Sequence, residues 1–296
     1  MLPVLVVGPL RLATHDVFTV VGLLAGLVLY YRALARRGLL ERRIVWLSLV
    51  AIGGGAIGAR LITAWEHIPY YRLLGEAPLT YVVEHSGKSI IGAIAGGYLA
   101  VVVGKRLLRY QRSTGDCYAL AIPVATAIGR VGCFLSELPL GMPTDLPWGV
   151  RVSPAAAAAF PYCPGCSGPM HPSMVYEIGF CLLAAGLIVR YGGRVPVQGD
   201  LLKLYLLAGG LFRFLVEFVR GNPPQALGLS GPQWVLLPLL GLLALHFARQ
   251  WRRGLYRVPA APPAESSPPA RPPTAGPGPT RAAEDAGLPV MEGGLP

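Results

Sequence analysis

Long apolar runs separated by short basic clusters dominate the chain. They predict seven membrane-crossing helices, at roughly 16–31, 44–65, 89–103, 117–135, 172–189, 201–219 and 232–248. A helix rises about 1.5 Å per residue, so about 20 apolar residues cover the hydrocarbon core of a bilayer. The connecting segments alternate in charge. Segments 32–43, 104–116, 190–200 and 249–257 hold 15 Lys and Arg residues, whereas the opposite segments hold Arg11, Arg72, Lys88, Arg151 and Arg220. Fifteen against five places the N-terminus outside and the C-terminus in the cytoplasm by the positive-inside rule, as an odd number of spans requires. The expected architecture is therefore an all-α integral membrane protein of seven transmembrane helices. Its membrane domain covers 1–257, with long outer loops at 66–88 and 136–171. The outer loops carry Trp148, Tyr70, Tyr71, Tyr81, Phe160 and Tyr162 among prolines, amphipathic aromatics suited to a membrane–water interface. Residues 258–296 carry 11 of the 29 prolines and few large apolar side chains, so they read as a disordered cytoplasmic tail.

Composition sharpens this picture. Hydrophobic residues make up 53% of the chain and charged residues 14%, against about 25% charged in soluble domains, which excludes a soluble globule. The net charge of +11 falls mainly in the short loops and reports topology rather than nucleic-acid binding. No short basic n-region with a small-residue cleavage site opens the sequence, so the first apolar segment is expected to remain as an anchor. Five cysteines exclude a dense disulfide scaffold. Cys163 and Cys166 form a CxxC in the outer loop that reads first as a structural disulfide, with free thiols, a redox pair or half a zinc site as alternatives. No second CxxC completes a zinc site, and neither a metal nor a cofactor is expected. Gly53, Gly54, Gly55 and Gly58, with Gly92, Gly96 and Gly97, read as close helix-packing positions, because no strand precedes them and no GK[ST] follows at phosphate-loop spacing.

The topology gives each intramembrane polar residue a depth. Arg60, Arg130, Arg213, Glu217 and Arg220 lie late in outward-going spans, and His15, Lys88, His171 and Glu177 early in inward-going ones. All nine fall in the outer half of the bilayer or at its outer surface. Charge there is costly and usually faces a bundle interior or a wet cavity. Arg60, Lys88 and Arg220 have snorkelling as the plainer reading. Arg213 and Glu217 stand four apart and share a helix face, with Arg220 three beyond. One carboxylate among two or three guanidiniums leaves positive charge, and planar Arg forks match phosphate oxygens, so an anionic lipid headgroup is the expected partner. A transporter or channel predicts charge through the whole thickness or inverted repeats with midplane sites, which this one-sided pattern does not match.

GRVGCF at 129–134, PTDLPWGV at 143–150, HPSMVYE at 171–177 and RFLVEFVR at 213–220 stand in order with GARL at 58–61 and GKSIIGAIAGG at 87–97. Together they resemble the prolipoprotein diacylglyceryl transferase family over roughly residues 10–250. The resemblance implies an enzyme of the bacterial cytoplasmic (inner) membrane. It would move a diacylglyceryl group from phosphatidylglycerol to the lipobox cysteine thiol of a preprolipoprotein signal peptide, releasing glycerol phosphate. The partners implied are phosphatidylglycerol, that signal peptide and membrane lipids, with no nucleic acid. The resemblance carries roles to Arg130, Arg213, Glu217 and Arg220; catalysis is expected of Arg130, Arg213 and Glu217, and lipid binding of Arg130, Arg213 and Arg220 with Arg60, Glu137 and Glu177 in support. The chain departs from the family pattern at Ile91, where the pattern has histidine, and at Cys133 and Ser136, where it has asparagine. Leu138 takes the glutamate position, with Glu137 one residue early. His15 and His171 are the candidate bases beside Glu217, though each reads more plainly as a helix-end residue. These departures support a second reading, a catalytically inactive relative that handles lipid or binds a partner.

Overall fold

The computed structural model describes residues 2–66, 89–137, 141–158, 168–222 and 224–256. Each predicted span is a helix: α1 (Thr14–Arg36), α2 (Arg42–Glu66), α3 (Ile90–Leu107), α4 (Gly115–Leu135), α6 (Ser173–Tyr191), α7 (Asp200–Val216) and α8 (Gly231–Arg252). The alanine run after Pro154 forms the short α5 (Pro154–Ala158). Among the described residues, six of these helices are long and apolar enough to cross a membrane, and the chain is a multi-pass membrane protein. The remaining long helix, α7, has 17 residues, and a 3₁₀ turn at Glu217–Val219 follows it directly. Two small antiparallel hairpins add to the helical plan. Strands β1 (Val4–Val7) and β2 (Leu10–Ala13) precede α1, and β3 (Pro224–Ala226) and β4 (Leu229–Ser230) precede α8. The CxxC, Lys88, most of the outer loops' aromatic residues and the proline-rich tail lie outside the described residues.

Local sequence explains where the helices begin. Ser89 caps α3, its side chain accepting from the Gly92 amide. Ser230 and Gln233 form a capping box at the start of α8, with Pro232 in its first turn. Pro172 leads into α6. Connections gather the helix ends at two levels. At one, the Leu2 amide donates to Leu135, Ser89 to Thr63, and Gln225 to the Trp65 carbonyl. At the other, Arg37 pairs with Asp116, Arg112 with Glu41, and Tyr256 with Asp200.

Large apolar side chains face outward along the helices, for example Leu49, Ile57 and Leu61 of α2 and Leu182, Leu183 and Val189 of α6. Such surface is suited to lipid and would be an association hazard in water. Between helices, small residues replace bulk. α2 and α3 meet backbone to backbone at Gly54, Gly58, Gly92 and Gly96, where an added Cβ overlaps a carbonyl or a neighbouring side chain of the facing helix. Lipid tails give no hydrophobic drive for helices to associate, so close van der Waals contact holds this pair. α1 meets α4 in the same manner, a Cβ at Gly22 falling 2.6 Å from the Ala125 carbonyl.

Gly58→Val is therefore expected to destabilise the protein by about 1–3 kcal/mol through overpacking. Gly53→Val is expected to stay within about 0.5 kcal/mol, because a Cβ at Gly53 meets nothing within 4 Å. Denaturant unfolding of both variants in one detergent checks the contrast.

Candidate active site

The polar residues of α4, α6 and α7 meet at one place because each helix is pinned in register. Asp116, in the first turn of α4, accepts from the Gly199, Leu201 and Leu202 amides at 2.8, 3.1 and 3.4 Å and so caps the start of α7. At the far end, the Met142 amide donates to Val219 at 2.7 Å and the His171 amide to Met142 at 2.9 Å, tying the end of α7 to the approach to α6. Gln233 of α8 donates to the Phe214 carbonyl at 3.1 Å. The switch from α to 3₁₀ at Glu217 changes the turn to three residues, which sets Arg220 over Glu217.

Five charged side chains from three helices converge there. Arg130 of α4 pairs through Nε with the Glu177 carboxylate of α6, and its Nη1 points to Met174 Sδ at 3.3 Å and Cys133 Sγ at 3.9 Å. Arg220 Nη1 donates to Glu177 Oε1 at 2.7 Å, and Arg213 Nε lies 3.9 Å from the same oxygen. Arg213 also pairs with Glu217, which accepts from Asn222 and, at 2.9 Å, from the Ser230 hydroxyl. Glu177 and Glu217 are 5% and 4% exposed, so both carboxylates are compensated inside the protein rather than by water. Three guanidiniums against two carboxylates leave one positive charge.

Arg130, Arg213, Arg220 and Glu177 line one end of a cavity of about 790 Å³, within the size range of small-molecule sites. Apolar side chains of α3, α7 and α8, among them Ile91, Ile94, Leu206 and Leu240, form its walls. Lys203 and His246 line the other end, where Asp200 accepts from both, at 2.7 and 2.8 Å. Lys203 precedes Arg213 by ten residues on α7, about 15 Å of helix. The one-sided distribution of charge read from the sequence therefore omitted a second polar cluster at the opposite end of the cavity.

Of the residues singled out from sequence, Arg130, Glu177, Arg213, Glu217 and Arg220 come together. The others lie elsewhere. Arg60 is exposed on α2 and does not line the cavity. Glu137 sits past the end of α4 with a positive φ of 54°, which turns its carboxylate onto the Ser153 amide and hydroxyl. That hydrogen bond holds the Glu137 carboxyl below its ordinary range and ties the chain past α4 to Ser153. His171 pairs with Tyr176 at 3.2 Å, and His15 with Asp16 at 3.1 Å and with the Cys133 thiol. Among the described residues, no histidine lines the arginine end of the cavity, and Ile91 stands in its wall. Asn222 and Ser230 are partners that sequence reasoning did not single out. Asn222 follows RFLVEFVR by two residues and was within reach of the motif. Ser230 comes to Glu217 only through the β3–β4 hairpin, for which local sequence carried little signal.

The chain is similar to known proteins over most of its length. The family model for prolipoprotein diacylglyceryl transferase matches residues 3–248. A protein of Bordetella parapertussis is 30% identical over 87% of this chain and 94% of its own length, and one of Cupriavidus metallidurans is 32% identical over 77% and 83%. A third, from Clostridium tetani, is 28% identical over 81% of this chain and 94% of its own length. Each of the three is named as a phosphatidylglycerol–prolipoprotein diacylglyceryl transferase.

Because Asp116 fixes the start of the helix that presents Arg213 and Glu217, Asp116→Ala is expected to destabilise the protein by about 1–2 kcal/mol. Thermal unfolding in detergent measures this directly.

Proposed function

The chain belongs to the prolipoprotein diacylglyceryl transferase family, a family of transferases. From that premise we propose that it moves the diacylglyceryl group of phosphatidylglycerol to the lipobox cysteine thiol of a preprolipoprotein. In this reading seven helices span the bacterial cytoplasmic membrane with the N-terminus outside, and the arginine cluster faces the outer leaflet. Segment 1–257 carries the chemistry, and the tail 258–296 takes no part in it.

The observation that carries the proposal is the convergence of Arg130, Arg213 and Arg220 at one end of an apolar-walled cavity. A phosphodiester headed by two acyl chains has the matching polarity: anion at the guanidiniums, hydrocarbon along α3, α7 and α8. The reaction forms an S–C bond to the glyceryl carbon and breaks the C–O bond to phosphate. The electron pair leaves with the phosphate oxygen. Charge on the departing phosphate rises as that bond breaks, so arginines already held in place stabilise the transition state more than the ground state. The thiol must shed its proton to attack, and surplus positive charge at the cluster favours the thiolate. Glu217, locked by Arg213, Asn222 and Ser230, orients Arg213 in this scheme.

Ile91 in the cavity wall supports a second reading. Where the family pattern has a proton-transferring side chain, isoleucine offers none, and a protein that binds the lipid without transfer is the alternative.

The test is a transfer assay with purified protein in phosphatidylglycerol vesicles and a lipobox peptide, read by mass spectrometry. A thioether-linked diacylglyceryl peptide is the expected product. Its absence, with an active family member alongside and lipid still bound, favours the second reading. Arg130→Lys is expected to cut the rate about 10- to 100-fold, because an ammonium loses a charge-assisted hydrogen bond of about 1.5–3 kcal/mol. Near-full activity in the lysine variant contradicts the role given to the guanidinium.

A further inference from the structure

The three guanidiniums have a carboxylate partner within the protein. They converge on Glu177, which takes Arg130 on Oε2 and Arg220, with Arg213 nearby, on Oε1. Its side chain is 6% exposed, and its two oxygens take up the three guanidiniums between them. Arg213 alone has a second carboxylate, Glu217, to hold it when Glu177 is displaced.

We infer that Glu177 is a built-in counter-anion that yields the arginines to the substrate phosphate and reclaims them to expel the product phosphate. The inference rests on the transferase reading above and assigns Glu177 a positioning role in it. Charge accounting carries the argument. Arg130, Arg213 and Arg220 against Glu177 and Glu217 leave the empty cluster at +1. A phosphodiester headgroup carries one negative charge and brings the cluster to neutrality. Transfer breaks the ester to the diacylglyceryl carbon, and the phosphate departs as a monoester of charge about −1.5 to −2 at pH 7. The cluster is then over-neutralised, toward −1, at a depth where uncompensated charge is costly.

Glu177 and the product therefore compete for the same guanidiniums, and the carboxylate, covalently tethered, wins as the product diffuses out. A site of three arginines without Glu177 would be at +2 when empty and near neutral with the monoester, and it would retain its product. The same accounting favours a monoanionic diester over a dianionic monoester as ligand, so Glu177 also gives the cluster its selectivity for diester-headed lipid.

The decisive experiment compares wild type with Glu177→Gln in nanodiscs, measuring equilibrium binding of glycerol phosphate and of dimethyl phosphate without turnover. The expected result is glycerol phosphate binding at least tenfold tighter in Glu177→Gln, with a smaller gain for dimethyl phosphate. In the transfer assay kcat and KM are expected to fall together, with stronger inhibition by added glycerol phosphate. Glu177→Asp, which keeps the charge, is expected to bind glycerol phosphate within about threefold of wild type. Unchanged or weaker glycerol phosphate binding in Glu177→Gln overturns the inference. If Glu177→Gln does not fold, the wild-type protein reads the competition by itself: dimethyl phosphate is expected to bind tighter than glycerol phosphate, and equal or tighter binding of glycerol phosphate overturns the inference. Wild-type protein that makes no thioether product sinks the transferase reading, whereas the binding comparison still reads the competition between Glu177 and phosphate.

Discussion

Charge placed at membrane depth must be compensated where it stands, because lipid offers neither water nor counterions. In this chain that constraint falls on Arg130, Arg213, Arg220, Glu177 and Glu217, and the surrounding architecture serves to bring them together. α4 supplies one guanidinium, α6 one carboxylate, and α7 with its 3₁₀ extension the remaining three groups. None of these helices can slide without leaving a buried ion unpaired. Asp116 fixes α7 at one end, the Met142–Val219 hydrogen bond fixes the other, and Ser230 and Gln233 bring α8 against the same turn. The compensation is incomplete by one positive charge, and in the proposed function that remainder is what a lipid phosphate neutralises.

The helical plan was legible in the sequence because apolar runs near 20 residues have few alternatives in a chain so poor in charge. Spans read at roughly 16–31 and 117–135 became Thr14–Arg36 and Gly115–Leu135, the helices continuing into the basic loops beyond the apolar run. Gly54, Gly58, Gly92 and Gly96 were legible for the same reason, since in lipid only close contact holds helices together, whereas Gly53, read the same way, faces open space. The hairpins before α1 and α8 were missed, since two- to four-residue strands leave little periodicity to read.

The candidate site was legible to the extent that depth and helical spacing define it. Arg213, Glu217 and Arg220 share a face, and Arg130 and Glu177 share their level, so their meeting follows from topology. Spacing does not fix residues beyond a helix end. Glu137 follows the last turn of α4 in a left-handed conformation, and its carboxylate serves the loop at Ser153 rather than the arginines. Arg60 points outward from α2, as snorkelling arginines do. His15 and His171 make local partnerships with Asp16 and Tyr176. The Lys203–Asp200–His246 cluster went unread: Lys203 and Asp200 stand three apart on α7, but His246 joins them only when α7 and α8 pack.

A division of labour follows. In the proposed reaction the arginines supply binding and charge stabilisation, and neither Ile91 nor Cys133 adds a formal charge to that balance. The most direct measurement is the structure of the protein solved in nanodiscs with phosphatidylglycerol. The account expects the lipid phosphate within hydrogen-bonding distance of Arg130, Arg213 and Arg220, with the acyl chains between α3, α7 and α8. Phosphate density away from these three arginines, with Glu177 still holding them, would contradict it.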